Sequence, residues 1–192
     1  MNIPNKLTVL RLVLIPVFIA AVMIDFPFRF IVAAAVFAIA AITDTLDGAI
    51  ARKYNMITDF GKLLDPLADK ILVSAALICL ICFLPDGLER NLMAIATVII
   101  IAREFLVTSL RLLVASKGVV VPAGTLGKIK TTLQILAVIV ILLELQFETV
   151  IRLYVPFVHI LGYTLLALAV IATIVSCIQY SRAYAPYLDS KK

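Results

Sequence analysis

The chain has 192 residues, of which 64% are hydrophobic and 15% charged, with a mean hydropathy of +1.14 and a formal net charge of +5. A soluble domain is usually about half apolar, so this composition excludes a soluble globular protein and points to an integral membrane protein, read as one compact domain over residues 1–192. In such a chain the basic excess speaks of topology and anionic lipid, not of nucleic acid.

A membrane-spanning helix needs about 20 mostly apolar residues. Six stretches qualify: Leu7–Ile24, Phe30–Ile50, Leu63–Leu84, Leu92–Val114, Ile129–Leu145 and Val155–Ile178. Lys6 and Arg11 precede an apolar run, as in a signal peptide, but "LVLIPVFIAAVMI" is followed by no small-residue cleavage site. It reads as a retained span, with Asn5 as its N-cap and a kink at Pro16. The second and third spans are joined through "KYNMITD", and Pro66 should loosen the third. "LPDGLE" and "VPAGTLG" read as turns before the fourth and fifth. No period-two alternation suggests a barrel, so the expected fold is an all-α bundle of six transmembrane helices.

The three cysteines, Cys79, Cys82 and Cys177, lie in apolar runs and read as small hydrophobic filler. His159 stands alone near the end of the bundle opposite the acidic residues, so zinc chemistry is not expected.

Charge sorts the helix ends. Arg29, Arg90 and Arg152 belong to one set, and the remaining 14 of the 17 Lys and Arg residues to the other. Both termini, the second–third connection and the fourth–fifth connection are therefore expected on the cytoplasmic side. Several of these cations interrupt apolar sequence and are expected to line a cavity near that face.

The chemistry is concentrated in "DTLDGAIARKYNMITDFGKLLDPLADK". Asp44 and Asp47 are three apart near the end of the second helix; Gly61, Asp65 and Asp69 are four apart on the third. These spacings put the acids on one stripe of each helix, so four carboxylates can converge between neighbours. Charges in a span are costly and like charges repel, so something positive must balance them. Hard oxygen donors suit Mg²⁺, Mn²⁺ or Ca²⁺. The alternative is pairing with Arg52, Lys53, Lys62 and Lys70, which does not by itself call for two facing acidic stripes. A divalent-cation transporter would also carry intramembrane acids, but here they cluster at one end with no polar trail beyond.

The pattern D-x2-D-G-x2-A-R-x8-G-x3-D-x3-D, formed by Asp44, Asp47, Gly48, Ala51, Arg52, Gly61, Asp65 and Asp69, resembles the signature of the CDP-alcohol phosphatidyltransferase family. The resemblance implies a CDP-linked substrate held by metal, as two Mg²⁺ or Mn²⁺ ions, and displacement of CMP by an incoming hydroxyl. It implies Asp44, Asp47, Asp65 and Asp69 as metal ligands, with Asp69 also the base. Gly48, Ala51, Arg52 and Gly61 are implied as nucleotide contacts, together with Thr8 and Arg11 of an N-x2-T-x2-R element. "IPNKLTVLRLVLIP", "GKLLDPLADKILV", "IIAREFLVTSLR" and "GTLGKIKTTLQ" further resemble bacterial members that join CDP-diacylglycerol to sn-glycerol 3-phosphate. An acceptor that already carries a phosphate needs cations beside the metal site, and Arg103, Arg111, Lys128 and Lys130 are the candidates. Arg103 could instead pair with Glu104, and Lys128 and Lys130 could anchor the helix end by snorkelling. Members that use phosphatidylglycerol as acceptor, making cardiolipin, are the nearest alternative. The resemblance also implies a homodimer in the bacterial cytoplasmic membrane.

Overall fold

In the computed structural model the backbone is described for residues 3–53, 59–116, 125–147 and 156–188, and side chains for 5–44, 67–115, 126–147 and 160–185. The described residues form six α-helices: α1 (Ile3–Met23), α2 (Arg29–Lys53), α3 (Asp59–Phe83), α4 (Leu88–Ser116), α5 (Thr125–Gln146) and α6 (Pro156–Leu188). No strand occurs among them. Helices alone satisfy their backbone polar groups within the hydrocarbon, which is why the apolar runs fold this way. Within α1, α4, α5 and α6 lie segments long and apolar enough to cross a membrane. The α2 and α3 helices are also of spanning length, at 25 residues each and about 1.5 Å per residue.

One local expectation is corrected. The first helix begins at Ile3, so Asn5 lies inside its first turn and is not the cap. Pro4 suits that turn, because the first helical N–H groups have no intrahelical acceptor anyway. Pro16 lies inside α1, and α3 continues through position 66.

The turn before α4 is built as expected. Gly87 has φ +142°, a conformation that side chains rarely adopt. Arg90 then donates to the Leu84 carbonyl through Nε (2.9 Å) and Nη2 (2.6 Å) and pairs with Asp86, satisfying an orphan acceptor at the end of α3. At the same end of the bundle Arg29 pairs with Asp25 (3.0 Å) and lies over the Phe30 and Phe83 rings.

The main core is formed by Phe18, Val22, Phe37, Leu72, Leu77, Leu80, Met93, Ile100, Val138, Ile141 and Leu142, all buried. Buried alanines at 33, 40, 76, 137 and 169 let the backbones approach closely, the usual basis of helix association in lipid, where apolar burial itself supplies little drive. Large apolar side chains such as Val13, Ile39, Val98, Leu112 and Ile171 face outward. Around a membrane bundle that is the lipid-facing surface. The three cysteines are unpaired, with Cys79 in the core and Cys82 facing out.

The packing order is not the chain order. The α1 helix packs on α2 and α3, α2 also on α5, α3 on α4 and α5, and α6 on both α5 and α4. Among the described residues α4 and α5 do not pack directly on one another. A cavity opens on the side of the bundle where these two helices stand apart.

Candidate active site

This cavity has a volume of about 440 Å³, within the range of small-molecule sites. Its wall takes Ala41 and Asp44 from α2, Asp69, Lys70, Leu72 and Val73 from α3, and Arg103, Glu104, Val107, Thr108 and Arg111 from α4. Gly127, Lys128, Thr131, Thr132 and Ile135 of α5 and Tyr180 of α6 complete it. Five helices thus converge on one polar chamber in an otherwise apolar molecule.

Two of the four expected acids, Asp44 and Asp69, line the chamber together. The other two, Asp47 and Asp65, belong to α2 and α3, but their side chains lie outside the described residues, as do those of Gly48, Ala51, Arg52, Gly61 and His159. Their helical backbone positions are described. Asp47 stands three residues beyond Asp44 and Asp65 four residues before Asp69, each about one turn along the same helix face. Carboxylates are the hard oxygen donors that Mg²⁺ or Mn²⁺ takes; among the described residues no group of three or more such donors gathers, and Asp44 and Asp69 are the two acids that the described side chains bring to the chamber.

Asp44 is held from a direction that its own helix does not supply. Nη1 of Arg11 lies 2.5 Å from Asp44 Oδ1. The Arg11 side chain is completely buried, whereas that of Asp44 is 37% exposed. Thr8, one turn earlier on α1, is buried as well. Neither Thr8 nor Arg11 is among the residues lining the cavity; Arg11 reaches Asp44 from outside its wall.

The four expected cations divide into two kinds. Arg111 and Lys128 are exposed, line the cavity, and form no ion pair among the described residues. Arg103 and Lys130 are buried. Arg103 donates from Nη1 to Glu104 Oε1 (3.3 Å) and from Nη2 to Ser176 Oγ (2.9 Å), with its guanidinium 5.7 Å from the centre of the Tyr180 ring. Its Nε, also buried, has no hydrogen-bond partner among the described residues, while the side chain borders the cavity. Lys130 pairs through Nζ with the same Glu104 Oε1 and lines a small polar void of about 10 Å³ beside Asp69, Lys70 and Gln134.

Lys70, Glu104 and Tyr180 were not among the site residues expected from sequence. Lys70 follows Asp69 directly and falls off the acidic stripe under a period of about 3.6 residues. Glu104 reads from sequence only as a partner for Arg103. Tyr180 carries no motif; its ring stacks on Tyr184 at 5.9 Å and reaches the chamber only because α6 packs on both α4 and α5.

Comparison with known proteins agrees with the sequence pattern. The family model described as CDP-alcohol phosphatidyltransferase matches residues 1–177. A Bacillus subtilis (strain 168) protein named CDP-diacylglycerol--glycerol-3-phosphate 3-phosphatidyltransferase is 48% identical over 162 residues, covering 78% of this chain and 81% of its own. A Rickettsia bellii (strain RML369-C) protein of the same name is 39% identical over 186 residues, covering 97% of each. A Mycobacterium tuberculosis (strain ATCC 25618 / H37Rv) protein named "Probable phosphatidylglycerophosphate synthase" is 38% identical over 182 residues, 93% of this chain and 79% of that one.

Proposed function

The chain belongs to the CDP-alcohol phosphatidyltransferase family, and from that premise we propose that it transfers the phosphatidyl group of CDP-diacylglycerol to sn-glycerol 3-phosphate, giving phosphatidylglycerophosphate and CMP. Membership in a transferase family sets aside the transporter reading. The observation that supports the specific reaction is that one chamber is lined by two of the four acids, Asp44 and Asp69, and by three cations, Arg103, Arg111 and Lys128, suited to a second phosphate.

In this reading Asp44, Asp47, Asp65 and Asp69 hold a pair of Mg²⁺ or Mn²⁺ ions. Bound there, the ions supply neutralising charge to the pyrophosphate and to the departing CMP. The protein's own groups do the rest. Asp69 accepts the proton of the attacking hydroxyl as its oxygen bonds to the phosphatidyl phosphorus, and the phosphoanhydride bond to CMP breaks. Arg52, with Gly48, Ala51 and Gly61, holds the nucleotide; an arginine presents a planar fork to phosphate oxygens. Arg11, through its pair with Asp44, and Thr8, one turn earlier on α1, serve the nucleotide side of the site. The cationic wall of Arg103, Arg111 and Lys128, backed by Lys130, binds the acceptor's phosphate and turns its hydroxyl toward Asp69. The acyl chains of the donor remain in lipid. Sidedness follows the basic bias: both termini and the chamber face the cytosol, in a bacterial cytoplasmic membrane. The protein works there as a homodimer.

The test is CMP release by the purified protein from CDP-diacylglycerol, with sn-glycerol 3-phosphate or phosphatidylglycerol as acceptor. Turnover with sn-glycerol 3-phosphate, lost in EDTA and restored by Mg²⁺ or Mn²⁺, is expected. Turnover with phosphatidylglycerol alone would replace the reading with cardiolipin synthesis.

A further inference from the structure

One carboxylate at the chamber has no role in the reaction just described. Glu104 sits on α4, its side chain 15% exposed, and borders both the chamber and the small void beside it. A single oxygen, Oε1, accepts from two buried cations on different helices, Arg103 of α4 and Lys130 of α5. Two cations buried so close together would repel without an anion between them, so Glu104 has an evident neutralising task. Its location gives it a further one.

The α4 and α5 helices do not pack directly on each other among the described residues. The Glu104–Lys130 pair reaches across the gap between them. These are also the helices that carry the two cations of the chamber that form no ion pair among the described residues, Arg111 two turns beyond Arg103 and Lys128 two residues before Lys130. The spacing of Arg111 from Lys128 therefore depends on how the two helices are held beside the cavity. On the α4 side Arg103 is fixed by Glu104, Ser176 and the Tyr180 ring, while its buried Nε remains without a protein partner among the described residues. A guanidinium held on several sides beside a cavity offers a fixed charge to an anionic ligand.

We infer that Glu104 is the positioning residue of the acceptor-phosphate site: by binding Arg103 and Lys130 on one oxygen it ties α4 to α5 and sets the spacing at which Arg103, Arg111 and Lys128 meet a phosphomonoester. The inference rests on the reaction proposed above. Glu104 does not touch the reacting atoms. Its removal loosens the grip on the acceptor and leaves the donor's site, built on α2 and α3, in place.

The experiment uses the full-length protein in detergent or proteoliposomes and compares wild type, Glu104→Gln, Glu104→Asp, Lys130→Gln and the Glu104→Gln/Lys130→Gln double variant. In Glu104→Gln the KM for sn-glycerol 3-phosphate should rise roughly tenfold or more, as loss of a coupled charge network implies. The KM for CDP-diacylglycerol should stay within about twofold, and inhibition by inorganic phosphate should weaken in parallel. Glu104→Asp keeps the charge and should fall between wild type and Glu104→Gln. In the Lys130→Gln background the Glu104→Gln change should raise the acceptor KM by less than it does alone. An unchanged acceptor KM in a folded Glu104→Gln protein overturns the inference, as does an equal change in both KM values accompanied by a lower melting temperature. If Glu104→Gln does not fold, Glu104→Asp decides: an acceptor KM equal to that of wild type overturns it. A wild-type protein that releases no CMP with sn-glycerol 3-phosphate overturns the parent reading, and this inference with it. A wild type that does so beside an unaltered Glu104→Gln overturns the inference alone.

Discussion

The pair formed by Arg11 and Asp44 makes an asymmetric prediction. The guanidinium is fully buried and the carboxylate 37% exposed, at 2.5 Å. Replacing Asp44 by Asn leaves a positive charge in the bundle without that counter-ion, whereas replacing Arg11 by Met leaves a carboxylate that water already reaches. Removing one partner of a buried pair costs about 3–5 kcal/mol. Solvent at Asp44 screens this pair, which brings the expected cost of Asp44→Asn down to about 2 kcal/mol. For a chain of this length that corresponds to a fall of roughly 4–8 °C in melting temperature. Arg11→Met fills the buried space with an apolar chain and should cost less than about 1 kcal/mol, since the remaining charge is solvated. The assay is thermal unfolding of the detergent-solubilised protein, followed by the loss of its monodisperse chromatographic peak. EDTA is included throughout, so that metal binding at Asp44 does not contribute. A lower melting temperature for Arg11→Met than for Asp44→Asn would refute the reasoning, because the exposed partner would then be the one whose charge needs neutralising.

Asp69→Asn should reduce CMP release by about 10²-fold or more, the usual weight of a general base, with a melting temperature close to wild type. Full turnover in that variant would remove Asp69 from proton transfer. Arg111→Gln, at an exposed position, should raise the KM for sn-glycerol 3-phosphate roughly tenfold to a hundredfold, in line with about 1.5–3 kcal/mol for a charged hydrogen bond. It should leave the KM for CDP-diacylglycerol and the thermal stability nearly unchanged, and an effect on the donor alone would move Arg111 to the nucleotide side. Gly162→Val tests packing away from the chamber. A Cβ at Gly162 would lie 3.0 Å from Ile141 Cγ1 and 3.4 Å from Val140 Cγ1, where α6 packs on α5. Overpacking there should cost about 1–3 kcal/mol. The melting temperature should drop while the turnover of the folded fraction is kept, because Tyr180 lies 18 residues further along α6, about 27 Å away.

The amino-acid sequence by itself determined the elements and the nature of the chemistry. Spanning helices are legible because the hydrocarbon thickness demands about 20 apolar residues whatever the surrounding fold. Each of the six expected spans falls within or closely overlaps an observed helix. The acids of α2 and α3 are legible because a period of about 3.6 residues converts their spacing directly into a stripe. Side-chain type alone then narrows what those stripes can bind. Helix ends were less legible: the entry to α1 gave Asn5 as a cap, while the helix starts at Ile3.

Only the tertiary structure decided how the four cations divide. Arg103 and Arg111 share a helix, as do Lys128 and Lys130; sequence offers Glu104 as a partner for Arg103, but only the packing shows that Arg103 and Lys130 are both buried on Glu104 while Arg111 and Lys128 are exposed at the chamber. The partnership of Arg11 with Asp44, the place of Lys70 and Tyr180 in the wall, and the gap between α4 and α5 likewise come from the packing. The physical reason is that periodicity places a residue around its own helix axis and nothing more. The rotation of each helix and the choice of its neighbours depend on how small and large side chains from distant segments fit together, as the buried alanines and phenylalanines do here.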